Sequence, residues 1–147
     1  MELLTFKLQG VKFGISVTQT ESVELQVNVT PVPDTPRHIR GIMDYHGEII
    51  PVYSLASRFG MEAQSVNNIV VVRVGGSKVG FEVETVDSIL SPQEDAIIPM
   101  PGILNATQDY FNTVIAYRDE LITVLDVEKL VTEDERKRIS DFVEAHN

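Results

Sequence analysis

The side chains best suited to chemistry are three histidines, a pair of acids beside one turn, and a serine next to two glycines. His38, His46 and His146 show none of the spacings at which histidines share a metal ion. The chain has no cysteine, so there is no thiolate ligand to complete such a site. We therefore predict neither a bound metal nor a cofactor.

Two other arrangements come close to catalytic motifs. Asp44 and Glu48 flank one turn and could be taken for the carboxylate pair of a glycosidase, but acids beside a turn are far more often solvated. The run Gly75-Gly76-Ser77-Lys78-Val79 lacks the second glycine of a nucleophile elbow and is more typical of a hairpin turn. The sequence therefore indicates a protein that is not an enzyme.

Charge and hydrophobicity narrow the classes of partner. The chain has 147 residues and a formal net charge of −10, which argues against nucleic acid, because phosphate binding needs clustered lysine and arginine. No signal-peptide pattern is present, and no apolar run approaches the roughly 18 residues that span a bilayer. We expect a cytoplasmic protein without membrane insertion.

The acidity is concentrated in the second half of the chain. Residues 1–73 carry six basic and seven acidic side chains, whereas residues 74–147 carry six basic and fifteen acidic ones. Such a surface either keeps the protein soluble or meets a basic partner surface. The sequence leaves both interpretations open.

Short strands must position these residues. Apolar and polar residues alternate with period two in residues 11–17, 48–53 and 78–83, as in half-buried strands. Residues 68–74 form a nearly unbroken β-branched run, which suits a strand buried on both faces. Glycines and the pair Arg118-Asp119 provide turns between these runs.

Helix signals are few. Thr35-Pro36 predicts a helix start, and residues 54–59, ended by Gly60, predict a turn or two of helix. The clearest helix is C-terminal. Thr132 and Glu135 match a capping box, and an apolar stripe follows it, formed by Ile139, Phe142 and Val143.

The chain also repeats itself. Three blocks align in the same order with slowly growing shifts: 6–25 on 72–91, 30–33 on 98–101, and 45–52 on 117–124. The shift grows only between predicted strands, where insertions cost little. A duplication with about five short strands in each copy suits a pair of small barrels better than one sheet.

These residues carry a family resemblance. The proline-bearing segment TPVPDTPRHIRGIM at residues 30–43 is its most specific part, and EIIPVYSL followed by RFG at residues 48–60 extends it. Residues 15–23, 69–87 and 121–130 add weaker matches. Over about residues 3–131 the chain resembles the CheW-like family of bacterial chemotaxis coupling proteins.

The resemblance implies an all-β fold of two SH3-like, five-stranded β-barrel subdomains followed by a C-terminal α-helix. We expect residues 1–131 to form the CheW-like domain, with the first barrel at about 1–64 and the second at about 65–131. Exchange of strands between the barrels stays open. Residues 132–147 would form the helix.

The resemblance also implies a function. It predicts a non-catalytic adaptor between the cytoplasmic tip of a methyl-accepting chemoreceptor and a CheA-type histidine kinase, with other CheW-like domains as further candidate partners. The alternative is a diverged CheW-like assembly or peptide-binding module in another motility or surface-signalling system.

The partner-binding residues we expect lie in two places. The first is the turn Asp44-Tyr45-His46-Gly47, where the family usually has Asn-Leu-Arg-Gly. His46 replaces an arginine that contributes to coupling, and so loses a permanent charge and a five-donor fork. An ordinary polar turn is the competing interpretation, since the repeat places Tyr117 opposite Tyr45 and suggests a packing role for both.

The second place is a hydrophobic seam between the barrels. Ile42 and Met43, together with Val17 and Val23, are candidates to line it, and a plain core role is the alternative for each. A helical hairpin tip laid in a groove is the docking mode expected there. Thr20 occupies a position where the family often has an apolar residue on its receptor-facing surface.

Overall fold

The computed structural model describes residues 1–62, 68–99 and 110–146. Within them the chain forms the following strands: β1 (Leu3–Leu8), β2 (Val11–Ser16), β3 (Thr20–Glu24), β4 (Ile39–Tyr45), β5 (Glu48–Ser54), β6 (Asn68–Val74), β7 (Ser77–Val83), β8 (Thr85–Leu90), β9 (Ile97–Pro99), β10 (Phe111–Tyr117) and β11 (Glu120–Leu125). The helices are α1 (Leu55–Arg58), α2 (Val127–Leu130) and α3 (Glu133–His146). The all-β prediction with a C-terminal helix is confirmed.

The strands form two sheets. Sheet 1 has the order β8-β1-β2-β11-β10-β9, and sheet 2 has the order β3-β6-β7-β5-β4. Neighbouring strands are antiparallel except for β2 with β11 and β5 with β7, which run parallel. Each sheet therefore contains strands from both halves of the sequence. The predicted barrel boundary near residue 64 lies outside the described residues and stays a prediction.

The duplication is visible in the element bounds. A shift of 66 carries β1 and β2 onto the bounds of β6 and β7 to within one residue, and a shift of 72 carries β4 and α1 onto β10 and α2. Pairing follows the same rule, since β1 pairs with β8 as β6 pairs with β3. Each copy thus contributes its first two strands to the sheet of the other.

The third repeat block is also reflected in the pairing. An isolated bridge joins Thr30 to Ile42, and its counterpart in the second copy is the pairing of Ile98 with Val114 between β9 and β10. The segment that forms a single β-bridge in the first copy thus forms the three-residue strand β9 in the second. Met100 and Pro101, the remainder of this block, lie outside the described residues.

One large apolar core lies between the sheets and two small ones lie within them. The large cluster draws on both halves of the chain, with Phe6, Phe13, Phe81 and Leu125 among its buried members. Since all these strands bury one face against the other sheet, the two sheets hold each other in a fixed arrangement.

The smaller cores are equivalent to each other. Sheet 2 encloses a cluster that includes Met43, Ile50 and Ile69, and sheet 1 encloses the counterparts Ile115, Ile122 and Leu3. Sheet 2 curls, because a hydrogen bond joins Ser22 on β3 to Tyr45 on β4, its two edge strands. Closure of the sheets into SH3-like barrels stays a prediction.

The helix predictions have mixed outcomes. Ser54 Oγ accepts a hydrogen bond from the Ser57 amide at the start of α1, so the short helix at residues 54–59 is confirmed. The prediction of a helix at Thr35-Pro36 is wrong: the Ile39 amide donates to the Pro36 carbonyl at 3.0 Å. That bond closes a tight turn, because the start of β4 at Ile39 leaves no room for a helix.

The C-terminal helix joins the core between the sheets. The Glu135 amide donates to Thr132 Oγ1 at 3.2 Å, and Thr132 donates back to the Glu135 carboxylate, which confirms the capping box. Ile139 and Phe142 are buried in the large cluster and Val143 packs against it. No helix within the described part of the chain has the length and apolar character needed to cross a bilayer.

Candidate functional site

The Asp44–Gly47 turn that joins β4 to β5 is a tight two-residue hairpin turn. His46 and Gly47 both have positive φ, 51° and 87°, as a type I′ hairpin turn requires. The Asp44 carboxylate accepts a hydrogen bond from the Gly47 amide at 3.0 Å. Asp44 therefore stabilises the turn, and Gly47 is needed there because most side chains disfavour this conformation.

Tyr45 points into sheet 2. Its side chain is 7% exposed, and a hydrogen bond of 2.9 Å joins its hydroxyl to Ser22 Oγ. Ser22 lies on β3, the opposite edge of the sheet from β4, so this bond brings the two edges of the curled sheet together. Tyr45 therefore packs in the interior of sheet 2, as its alignment with Tyr117 suggested.

Several charged groups surround the Tyr45 phenol. The hydrogen bond with Ser22 lowers the pKa of Tyr45, but burial and the nearby carboxylates of Glu21 and Glu24 outweigh it, and the net pKa is raised. The Lys78 ammonium lies 5.7 Å from the ring centroid. Tyr45 is therefore a neutral hydroxyl at physiological pH, fixed between the two edge strands.

His46 points outward from the same turn. Its side chain is 75% exposed, and its Nε2 lies 3.5 Å from the Glu24 carboxylate on β3. The imidazole meets the Tyr45 ring edge to face, with centroids 4.5 Å apart. The turn thus presents a ring, held between an aromatic and an acid, to any partner that approaches this edge.

An ion pair borders the turn, and the duplication preserves it. Lys78 Nζ lies 2.9 Å from the Glu48 carboxylate, and in sheet 1 the equivalent Lys12 lies 3.0 Å from Glu120. In both sheets this pair links the strand after the turn to its parallel neighbour. Exposed pairs of this kind add little stability, so we interpret them as a common polar rim.

The remaining candidates occupy different environments. Thr20 is half-buried at the start of β3 and donates to the Ser16 carbonyl at 3.2 Å. Ile42 is partly buried and packs against the core between the sheets, as do Val17 and Val23. All three apolar side chains therefore contact the core between the sheets, and their part in a partner-binding seam stays a prediction.

Met43 lies apart from the seam. Its side chain is 3% exposed and belongs to the inner core of sheet 2, because successive residues of a strand point to opposite faces. Met43 was a candidate for either the seam or the core, and the structure places it in the core. Its influence on a partner would act through the packing of Tyr45.

The groups considered for catalysis are engaged elsewhere. Asp44 caps its own turn and Glu48 pairs with Lys78, so the two carboxylates do not act as a pair. His146 donates to the Phe142 carbonyl at 2.8 Å. His38 is joined to Ser57 by a hydrogen bond of 2.8 Å.

Sequence reasoning missed Ser22, Glu24 and Lys78, which surround the turn. They come from β3 and β7, and nothing local links them to Tyr45 or His46. One signal was available. Lys78 and Glu48 each align on a residue of the same type in the other copy, and retention of both suggests that they meet.

Comparisons with known proteins identify the family of the chain. The family model of the CheW-like domain matches residues 2–135. The chemotaxis protein CheW of Klebsiella aerogenes is 25% identical over 149 residues, covering 99% of this chain and 90% of that protein. The chemotaxis protein CheW of Thermotoga maritima is 27% identical over 134 residues, covering 90% and 88%.

A solved structure shares the fold. The scaffolding protein TtCheW from Thermoanaerobacter tengcongensis superposes with a TM-score of 0.80 at 26% identity, over 91% of this chain and 94% of that one. The match covers both sheets.

Proposed function

Because this chain belongs to the CheW-like domain family, we propose that it couples the cytoplasmic tip of a chemoreceptor to a CheA-type histidine kinase. Its relatives bear the name chemotaxis protein CheW, and the chain is a chemotaxis coupling adaptor of that kind. It works in the cytoplasm without catalysis. What it contributes is a fixed spacing between two binding surfaces.

The observation that carries this proposal is the single apolar core between the two sheets. Strands of both halves bury their side chains in it, together with α2 and α3. A close-packed core of this kind resists deformation, so surfaces on the two sheets keep their separation. A displacement of one partner is then transmitted to the other instead of being absorbed.

We assign the two surfaces to the seam and to the Asp44–Gly47 turn. At the seam, Thr20 and Ile42 offer a half-buried, largely apolar strip suited to a helix laid in a groove. The turn offers His46 and the acids beside it, which suit a polar contact. Two weak contacts of different chemistry gain strength once both partners are tethered in an array.

A charge placed at the seam tests the proposal. We expect the folded wild-type chain to co-sediment with a receptor signalling fragment and the kinase, and Ile42→Asp to lose the receptor. Val114→Asp is the matched control, because Val114 is the counterpart of Ile42 on sheet 1. Circular dichroism checks that both variants fold. Receptor binding retained by a folded Ile42→Asp protein would place the receptor surface elsewhere.

A second candidate function has one observation in its favour. Asp44, Tyr45 and His46 all depart from the usual family sequence, and His46 is engaged by Glu24 within this chain. The second candidate is a diverged module that serves a motility or surface-signalling partner of its own. Capture of that partner, with no affinity for a generic receptor and kinase, would favour this function.

A further inference from the structure

A basic hollow lies beside α1. It has a volume of about 440 Å³ and is lined by Arg37, His38, Ser57, Arg58 and Arg138, with Glu135 at one wall. These residues come from the turn before β4, from α1 and from α3. Three of the twelve basic side chains therefore meet in one hollow of a chain whose net charge is −10.

Two of these arginines have no carboxylate partner in the described part of the chain. The Arg58 guanidinium lies 4.5 Å from the centroid of the Tyr110 ring, and it donates to the Tyr110 hydroxyl at 3.4 Å. Stacking on an aromatic ring orients a guanidinium while leaving donors free. Arg37 is exposed and forms no ion pair with the described residues.

The acid of the hollow is already engaged. The Glu135 carboxylate accepts hydrogen bonds from Tyr53 at 3.3 Å and from Thr132 in the capping box. Arg138 pairs with Asp134 at 3.0 Å, with both side chains largely exposed, and such pairs are weak. The Glu135 carboxylate keeps its own charge, but Arg37 and Arg58 together exceed it, so the hollow has a net positive charge.

The histidine is held in place by its hydrogen bond to Ser57. His38 has φ of 69°, a left-handed conformation that histidine adopts more readily than most residues. Its Nδ1 is bonded to Ser57 Oγ, so Nε2 is left for another group. Burial lowers the pKa of His38, so at neutral pH the ring is uncharged and the positive charge comes from the arginines.

We propose that this hollow binds a phosphate group, held by Arg37 and Arg58 with a hydrogen bond from His38 Nε2, while the Ser57 hydroxyl donates to His38 Nδ1 and fixes that tautomer. A doubly charged oxyanion matches two guanidinium forks better than a single carboxylate does. The net negative charge of the chain repels anions in general, so binding depends on this local cluster. The site is independent of the adaptor function proposed above.

The test is an NMR titration of the whole chain at constant ionic strength, with chloride as the reference anion. The probes are inorganic phosphate, and a phosphoserine peptide with its unphosphorylated form. We expect saturable shifts confined to residues 37–39, 57–60 and 138. Tighter binding of the phosphopeptide identifies a phosphorylated protein segment as the ligand, and equal or tighter binding of inorganic phosphate identifies a small free phosphate.

Two variants and a control make the result decisive. Arg37→Gln should weaken phosphate binding on the order of tenfold, the loss of one charge-assisted contact. Arg58→Lys should also weaken it, since charge is kept but the fork is lost. Arg118→Gln is the control, because Arg118 also stacks on a tyrosine but lies outside the hollow. No saturable shift with either probe, or equal weakening in all three variants, would overturn the proposal.

Discussion

Sheet 1 and sheet 2 are built from equivalent strands, yet they end up with different surroundings. On sheet 2, α3 packs against β5, with Ile139 and Val143 near Ile49. The counterpart of Ile49 on sheet 1 is Leu121, which is 66% exposed. Duplication therefore produced two equivalent faces, and α3, which follows the second copy, covers the one on sheet 2.

The interiors differ as well. Glu82 lies 4% exposed within sheet 2, and its carboxylate is 2.7 Å from Arg40 Nε, whereas the equivalent residue of sheet 1 is Ser16. At the hairpin turns, Arg118 and Asp119 of the second copy are equivalent to His46 and Gly47 of the first, and all four residues have positive φ. The backbone plan is thus conserved between the copies, while charge and coverage distinguish the sheets as binding surfaces.

The largest expected effect concerns the helix-covered face. Ile139→Ala should destabilise the protein by about 2–5 kcal/mol, because a buried branched side chain leaves a cavity. Leu121→Ala on the equivalent face of sheet 1 should change stability by less than about 0.5 kcal/mol. Urea unfolding followed by circular dichroism measures both. A comparable loss for Leu121→Ala would mean that its face is covered in solution.

A second comparison uses two equivalent glycines within the sheets. A Cβ at Gly80 would lie 2.7 Å from Ile69 Cγ2, whereas a Cβ at Gly14 would lie 3.3 Å from Ile122 Cγ2. Overpacking should make Gly80→Ala cost about 1–3 kcal/mol. Gly14→Ala should cost under about 1 kcal/mol, because its neighbours need to move only slightly. Thermal unfolding of both variants checks the difference, and equal costs would contradict it.

The buried carboxylate makes stability depend on pH. Burial raises the pKa of Glu82 more than Arg40 lowers it, so the folded state holds this proton more tightly than the unfolded state. Its contribution to stability is present below the ordinary glutamate pKa and is lost as pH rises through the raised folded value.

Glu82→Gln should remove that part of the pH dependence. Urea unfolding across about pH 4 to pH 8 measures it, and Arg40→Gln should steepen the loss because the opposing charge is gone. An identical pH profile for wild type and Glu82→Gln would show that the carboxylate is not desolvated in solution.

The smallest expected effect is at the hairpin turns. His46→Arg should weaken the complex with the protein's own partners by about 1 kcal/mol or less, because the imidazole is fitted between Tyr45 and Glu24. Arg118→His, the reverse exchange on sheet 1, should leave binding unchanged. Calorimetric titration of both variants tests this. Stronger binding by His46→Arg would instead show that a permanent cation is required.

Most of the fold could be predicted from the sequence, because strand alternation and turn residues are local signals. Residues 68–74 were predicted as a doubly buried strand, and β6 has these bounds. The helix predicted at Thr35-Pro36 failed because the same local signal also suits a tight turn. No local signal predicts the strand exchange, because the alternating apolar and polar residues of β2 would fit a strand in either sheet equally well.

The site was less predictable than the fold. The turn at Asp44–Gly47 was found because its residues are contiguous, and Tyr117 indicated the packing role of Tyr45. For Met43 the sequence left a seam and a core role open, since it does not show which of two successive strand residues faces the core, and the structure buries this side chain. The edge-to-edge contact with Ser22 depends on how far the sheet curls, and sequence spacing carries no measure of that.

Strand exchange also governs when this protein is able to fold during synthesis. β1 and β2 leave the ribosome first, but β2 pairs with β11, which is made more than a hundred residues later. At about 5–20 residues per second, the first hairpin waits about 5 to 20 seconds for its parallel neighbour. Folding is therefore dominated by contacts distant in sequence and is expected to be slow. The early strands stay exposed to aggregation, or to chaperones, until β11 has been made.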